Sequence, residues 1–146
     1  MQKTAGRFSP GSLETGYADV LQSLSKDPLK MISHSQGTAT TTCALEILGR
    51  RGVIFDKKSS AIFLAPVTLT GRIRSASEKV RLLDQNTKIY PRKYDPVPLM
   101  TSTLNPVSHI EGWANFYRIE EHGAERYFED SEKKGWLTYD EKQVTL

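Results

Sequence analysis

The central segment of the chain reads Met31-Ile32-Ser33-His34-Ser35-Gln36-Gly37-Thr38. The apolar-tending run 29–32 stops abruptly at small and polar residues, and residues 38–48 then carry apolar side chains at helical spacing. We therefore expect a short buried strand, a tight turn and a helix, in that order. The residues on either side of this turn predict both a fold and a set of candidate functional residues.

The turn has the spacing of a nucleophile elbow, in which a serine lies between small residues two positions away on each side. Ser33 and Gly37 are small enough for strand and helix to pass close together, and Gly37 tolerates unusual backbone angles. Ser35 would stand exposed at the tip, near the positive end of the helix dipole. The alternative is a Ser/Thr-rich loop that only caps a helix.

The composition indicates a soluble globular protein, because 38% of the 146 residues are hydrophobic and 25% are charged. We expect a flexible segment over 1–11 and a single domain over 12–146. The net charge of +3 comes from scattered basic pairs without interleaved aromatic residues, so a nucleic-acid partner is not expected. The lone cysteine, Cys43, excludes an internal disulfide and falls on a predicted buried helix face.

Neither a membrane span nor a secretory signal is predicted, because no apolar stretch is long enough and the first residues lack an apolar region. The location stays unknown: cytoplasmic by default, or the released end of a larger secreted protein.

Helical and extended patterns alternate along the chain. A first helix is predicted from Ser12, as its N-cap, to the break at Asp27-Pro28, and the second ends at Gly49. The apolar stripe of the first helix consists of Leu13, Tyr17, Val20, Leu21 and Leu24. Residues 61–67 and 87–90 read as further strands, and a third helical stripe comprises Ile73, Ala76, Val80 and Leu83. This alternation predicts an α/β fold with a small, mostly parallel sheet flanked by helices.

Functional groups of such sheets collect beyond the carboxyl ends of the strands. Ser35 lies beyond the first strand, and Asp95 lies beyond the third in a turn that Pro96 and Pro98 should hold extended. His122 precedes a predicted final helix with Ala124, Tyr127 and Phe128 on its stripe. Taken singly, Asp95 could be an ordinary turn residue and His122 a surface residue.

Serine, aspartate and histidine in this chain order form a known catalytic set. A serine hydroxyl becomes a good nucleophile when an imidazole takes its proton, and a carboxylate on the other ring nitrogen orients that imidazole. We therefore predict Ser35 as nucleophile, His122 as base and Asp95 as the orienting acid. The backbone N–H of Gln36 is expected to stabilise the oxyanion.

These motifs resemble those of lipase- and esterase-like α/β-hydrolases. His34-Ser35-Gln36-Gly37 resembles their "HSQG" elbow, Asp95-Pro96-Val97-Pro98 their "D-x-V-P" loop, and His122 to Tyr127 their "H-x-x-x-x-Y" segment. The resemblance covers about residues 12–130 and is closest to lipase-like domains at the ends of large bacterial secreted or surface proteins. It implies a minimal or truncated α/β-hydrolase that cleaves small-molecule or lipid esters without a cofactor.

Two departures from the family pattern leave alternatives open. Ser33 replaces the usual first glycine of the elbow, and few residues precede the first strand, whereas the family has several strands there. The loop that supplies a second oxyanion N–H has no evident counterpart, although the segment Gly6 to Gly11 could supply it. The chain could be truncated, a fragment, completed by a partner chain or a second copy, or a non-catalytic remnant acting as a binding module.

Other residues are weaker candidates. His34, Trp113 and Phe116 are predicted to line the substrate pocket, although His34 could pack under the elbow and the aromatic residues could be core. His109 is a second candidate for the base, in a stretch, 104–112, that reads as an irregular loop or lid. Glu120 and Glu121 are alternatives to Asp95. No metal site is expected, because the histidines and the cysteine lack ligand spacing.

Overall fold

The computed structural model of the protein describes residues 11–93, 95–114, 116–137 and 142–145, with the side chains of 109, 113, 116, 117 and 142–145 outside the description. The helices are α1 Ser12–Leu24, α2 Gln36–Arg50, α3 Thr70–Lys79, α4 Pro96–Thr101, α5 Pro106–Ala114 and α6 Ala124–Lys133. The strands are β1 Leu29–His34, β2 Ser60–Leu64, β3 Thr87–Tyr90 and β4 Lys142–Thr145. Two 3₁₀ segments, Asp84–Asn86 and Phe116–His122, complete these elements.

The strands form one parallel sheet in the order β3-β2-β1-β4. Met31 of β1 is opposite Ala61 of β2, and Ala61 is opposite Thr87 of β3. The predicted α/β architecture, a small parallel sheet flanked by helices, is confirmed. Because all the strands run the same way, their carboxyl ends meet at one edge, where Ser35 follows β1 directly.

Helices cover both faces of the sheet, and alternate strand residues divide between two cores. Met31 and Phe63 face a core shared with α1, α2 and α3. Ile32 and Ile62 face the opposite core, which Tyr127 of α6 completes. This double burial explains why β2 reads as a continuous apolar run rather than an alternating one.

Several predicted boundaries in the first half are corrected. The N-cap of α1 is Gly11 rather than Ser12, and Leu13 and Val20 of the predicted stripe are exposed while Ala18 is buried. Helix α2 runs through Gly49, which packs tightly on Lys79, and the chain turns instead at Gly52 with a φ of 73°. Half of the buried residues of α2 are threonines, namely Thr38, Thr40, Thr41 and Thr42.

Larger corrections fall beyond β3. Pro96 and Pro98 belong to the short helix α4 rather than an extended turn, because proline fits the first helical turn, where no N–H is needed. The predicted loop 104–112 lies largely in helix α5. Strand β4 was not predicted. His122 does not follow a strand: between β3 and His122 the described residues contain only helical segments and connections.

The described helices include none that is both long enough and apolar enough to cross a membrane. Residues 1–10, most of the segment expected to be flexible, lie outside the described residues.

Candidate active site

The backbone at Ser35 forms a sharp turn between β1 and α2. Ser35 has a φ of 54° and a ψ of −123°, a conformation that residues with a Cβ rarely adopt. Its N–H donates to the carbonyl of Leu64 at 3.0 Å, which continues the β1–β2 ladder up to the turn itself. Gln36 is the first residue of α2, so its N–H lies ahead of the intrahelical hydrogen-bond ladder.

Thr38 fastens this turn to the loop after β2. Its hydroxyl donates to the carbonyl of Ser35 at 2.6 Å and accepts from the N–H of Val67 at 3.1 Å. Because Thr38 is completely buried, the bonds hold the turn without competition from water.

A hydrogen-bonded chain links Ser35, His122 and Asp95. Ser35 Oγ lies 2.5 Å from His122 Nε2, and His122 Nδ1 lies 2.8 Å from Asp95 Oδ2. A carboxylate only accepts, so Nδ1 carries the ring proton and donates it to Asp95. In neutral His122 the other nitrogen, Nε2, is then free to accept from the Ser35 hydroxyl.

Asp95 occupies the N-cap of α4 and is fully buried. Its Oδ1 accepts from the N–H of Val97 at 3.0 Å, and its Oδ2 accepts from His122 and also from the hydroxyl of Tyr127 at 2.5 Å. Three donors therefore surround a carboxylate that has no access to water. Because both carboxylate oxygens accept hydrogen bonds, the group is held in one orientation beside His122.

His34 packs behind His122. Its Nε2–H donates to the backbone carbonyl of His122 at 2.7 Å, and the two ring centroids lie 5.3 Å apart. Burial lowers the pKa of His34 and outweighs the hydrogen bond to the His122 carbonyl, which raises it. A neutral His34 avoids placing a second positive charge beside His122 when that imidazole is protonated.

Arg92 ties the segment around His122 to the end of β3. Its guanidinium donates to Glu121 Oε2 and to Asp130 Oδ2, both at 2.7 Å, so it contacts residues on both sides of His122. All three side chains are mostly buried. Glu121 therefore pairs with Arg92, and the carboxylate on His122 is that of Asp95.

Comparison with protein-family models, with curated proteins and with solved structures found no match.

The structure thus brings together three of the predicted residues, Ser35, His122 and Asp95, with the N–H of Gln36 beside them. His34 is adjacent, packed on His122 and Tyr127. The side chains of Trp113, Phe116 and His109 lie outside the described residues, so their predicted roles stay predictions. Among the described residues, His, Cys, Asp and Glu form no group that could hold a metal ion.

Sequence reasoning missed two contributors, Tyr127 and Arg92. Tyr127 was placed on the buried stripe of the final helix, which is correct, but nothing in that pattern indicates where its hydroxyl points. Arg92 lies just past β3, where functional groups were sought, and that position is the signal that could have drawn attention to it.

Proposed function

We propose that the protein is a serine hydrolase that cleaves carboxylic esters and has a minimal α/β-hydrolase fold. The observation that carries this proposal is the continuous chain from Ser35 Oγ through His122 to buried Asp95, with contacts of 2.5 and 2.8 Å. Both distances are within hydrogen-bond range. The nucleophile also stands on a strained strand-to-helix turn, as this chemistry requires.

In the proposed reaction Ser35 Oγ attacks the ester carbonyl carbon while its proton passes to His122 Nε2. Asp95 keeps the ring oriented and stabilises the imidazolium. The tetrahedral intermediate collapses, the C–O bond to the alcohol breaks, and His122 returns the proton to the leaving oxygen. Water then attacks the acyl-enzyme with His122 again acting as base, releasing the acid and restoring Ser35.

The elbow supplies an oxyanion donor, the N–H of Gln36. A second donor is common in this chemistry, and loss of a donor lowers the rate by about 10²–10³-fold. The segment Gly6 to Gly11, proposed as its source, lies outside the described residues except for Gly11. A chain that works with the elbow donor alone should be a slow esterase, best detected with activated esters.

The choice of esters rests on the motif resemblance, since the same triad also serves other acyl transfers. We expect substrates with an apolar acyl group, because a helix that packs on the elements carrying Asp95 and His122 exposes apolar side chains. Helix α5 packs on α4 and on the 3₁₀ segment that ends at His122, and its Val107 and Ile110 are exposed. A series of p-nitrophenyl esters of increasing acyl length would measure this preference.

The first test is labelling by a fluorophosphonate probe, which reacts with an activated serine. The wild-type chain should be labelled, and Ser35→Ala should abolish labelling. Ser33→Ala is the matched control: it removes a buried hydroxyl two residues away that has no hydrogen-bond partner among the described residues. Its labelling should equal that of the wild type.

A folded wild-type chain that is not labelled would contradict the proposal. The second candidate, a non-catalytic binding module that retains the triad geometry but lacks a complete oxyanion hole, would then be favoured. Labelling that survives in Ser35→Ala would instead place the reactive residue elsewhere.

A further inference from the structure

Tyr127 is among the largest fully buried side chains, and its hydroxyl lies at the end of the triad. The hydroxyl donates to Asp95 Oδ2 at 2.5 Å and lies 2.8 Å from the backbone nitrogen of Arg92. The same Asp95 oxygen accepts from His122 Nδ1 at 2.8 Å. One carboxylate oxygen thus receives two donors, one from the base and one from Tyr127.

The direction of each bond follows from the donor inventory. An amide N–H can only donate, so the Tyr127 oxygen accepts from Arg92 and its single proton points to Asp95. Burial, with the Asp95 hydrogen bond as the next cause, raises the pKa of the Tyr127 phenol far above its ordinary value of 10.0. The hydroxyl therefore stays protonated and remains a donor over the whole range in which an esterase would work.

The ring of Tyr127 is fixed by its neighbours. It meets the rings of His34 and Tyr90 edge-on, with centroid distances of 5.5 and 5.7 Å. A rigid ring on helix α6 places the hydroxyl with little freedom, which is what a group that orients another side chain needs. Asp95, by contrast, could turn about its terminal torsion if only Val97 and His122 held it.

We propose that Tyr127 is a positioning residue of the triad, whose hydroxyl holds the Asp95 carboxylate in the orientation that accepts from His122. This inference rests on the proposed hydrolase function. Tyr127 acts through Asp95, and the residues that would contact substrate remain Ser35, His122 and Gln36.

The test compares Tyr127→Phe with Tyr90→Phe. The neighbouring Tyr90 lies in the same ring cluster and has its hydroxyl on Asp130 at 2.8 Å instead of on Asp95. Hydrolysis of p-nitrophenyl acetate by Tyr127→Phe should show a kcat about tenfold or more below wild type, as expected for loss of a hydrogen bond to a charged group, with KM little changed. Tyr90→Phe should keep its kcat, because it retains the ring that packs on Tyr127 and loses only the hydroxyl that bonds Asp130. Equal kcat values for wild type and a folded Tyr127→Phe would overturn the proposal.

Proton NMR of the wild-type chain tests the geometry independently of activity and of how well the variant folds. The Tyr127 hydroxyl proton and the His122 Nδ1 proton approach the same oxygen, so a nuclear Overhauser cross-peak should connect them. Its absence, with the His122 proton visible, would refute the shared acceptor. If the peak is present but the fluorophosphonate probe labels no serine, the hydrolase proposal fails and the positioning role in catalysis fails with it, while the hydrogen bond stands.

Discussion

Ser35 Oγ and His122 Nε2 are 2.5 Å apart although 87 positions separate the two residues in the chain. Ser35 is fixed by the sheet and α2, whereas His122 is held by hydrogen bonds to His34 and Asp95. Arg92 holds the neighbouring Glu121. Activity should therefore respond to changes at residues that contact neither the nucleophile nor the substrate.

Asp95→Asn should lower kcat by about 10⁴-fold, because an amide that faces Nδ1 with its NH₂ group disfavours the tautomer in which Nε2 accepts from Ser35. Ester hydrolysis by the purified variant measures this. Asp84→Asn is the control, since the Asp84 side chain is 72% exposed and pairs only with exposed Arg74 among the residues described. An Asp95→Asn chain with more than a tenth of wild-type kcat would show that Asp95 is not the orienting acid.

His34 should make stability depend on pH. Burial lowers its pKa in the folded chain below the ordinary 6.5, so the unfolded chain binds its proton at a higher pH. Below about pH 6.5 the unfolded state then holds more protons, and stability falls as the pH drops toward the folded pKa. Calorimetric melting temperatures between pH 5 and 7.5 should show a smaller decrease for His34→Gln than for wild type. Ser35→Ala retains His34, so its melting temperature should decrease as much as that of the wild type. If His34→Gln shows the same decrease as the wild type, the pH dependence comes from groups other than His34.

Arg92→Ala should lower the unfolding free energy by about 1 kcal/mol, which is at the upper end of the range for ion pairs near the surface. The reason is that it removes bonds to Glu121 and Asp130 that are mostly shielded from water. Urea unfolding measures this change, and activity should fall as well because the His122 segment is released. The matched control is Arg74→Ala, whose pair with Asp84 is exposed and should contribute almost nothing. Equal effects of the two variants would contradict a special role for Arg92.

Gly112→Ala should force α5 away from α4. A Cβ at Gly112 would clash with Met100 Cγ and lie 3.0 Å from the carbonyl oxygen of Pro96, the residue after Asp95. We expect a loss of about 1–3 kcal/mol in unfolding free energy, typical of overpacking, together with lower activity. Gly16→Ala in α1 should instead raise the unfolding free energy by about 0.5–1 kcal/mol, because the added Cβ meets no described atom within 4 Å beyond its chain neighbours and its own helix backbone. If Gly112→Ala changes neither the unfolding free energy nor the activity, α4 and α5 can separate at little cost.

The sheet and the elbow could be predicted because their signals are local. The apolar runs of β1 and β2, the extended pattern of 87–90 and the small residues around Ser35 each lie within a few positions of one another. Helix α5 was missed because the polar and glycine residues of 104–112 gave no clear periodicity, and α4 because two prolines were interpreted as an extended course. Tertiary packing on neighbouring helices stabilises both.

The hydrogen-bond partners around His122 were harder to predict from the sequence. The order Ser35, Asp95, His122 indicated which residues meet, but the bonds from Tyr127 to Asp95 and from His34 to the His122 carbonyl depend on side-chain direction across 32 and 88 positions. The parallel pairing of β4 with β1 is likewise non-local. No periodicity within a window of the sequence contains that information.

The left-handed backbone at Ser35 lowers the thermodynamic stability of the fold at the position where the proposed reaction needs an exposed hydroxyl. A φ of 54° with a ψ of −123° costs a residue with a Cβ about 1–3 kcal/mol, whereas glycine escapes that strain and loses only about 0.5–1 kcal/mol of chain entropy. Ser35→Gly should therefore melt at a higher temperature than Ser35→Ala, although neither carries a nucleophile. The difference in unfolding free energy between these two variants is the backbone strain at Ser35 less the chain entropy that glycine loses.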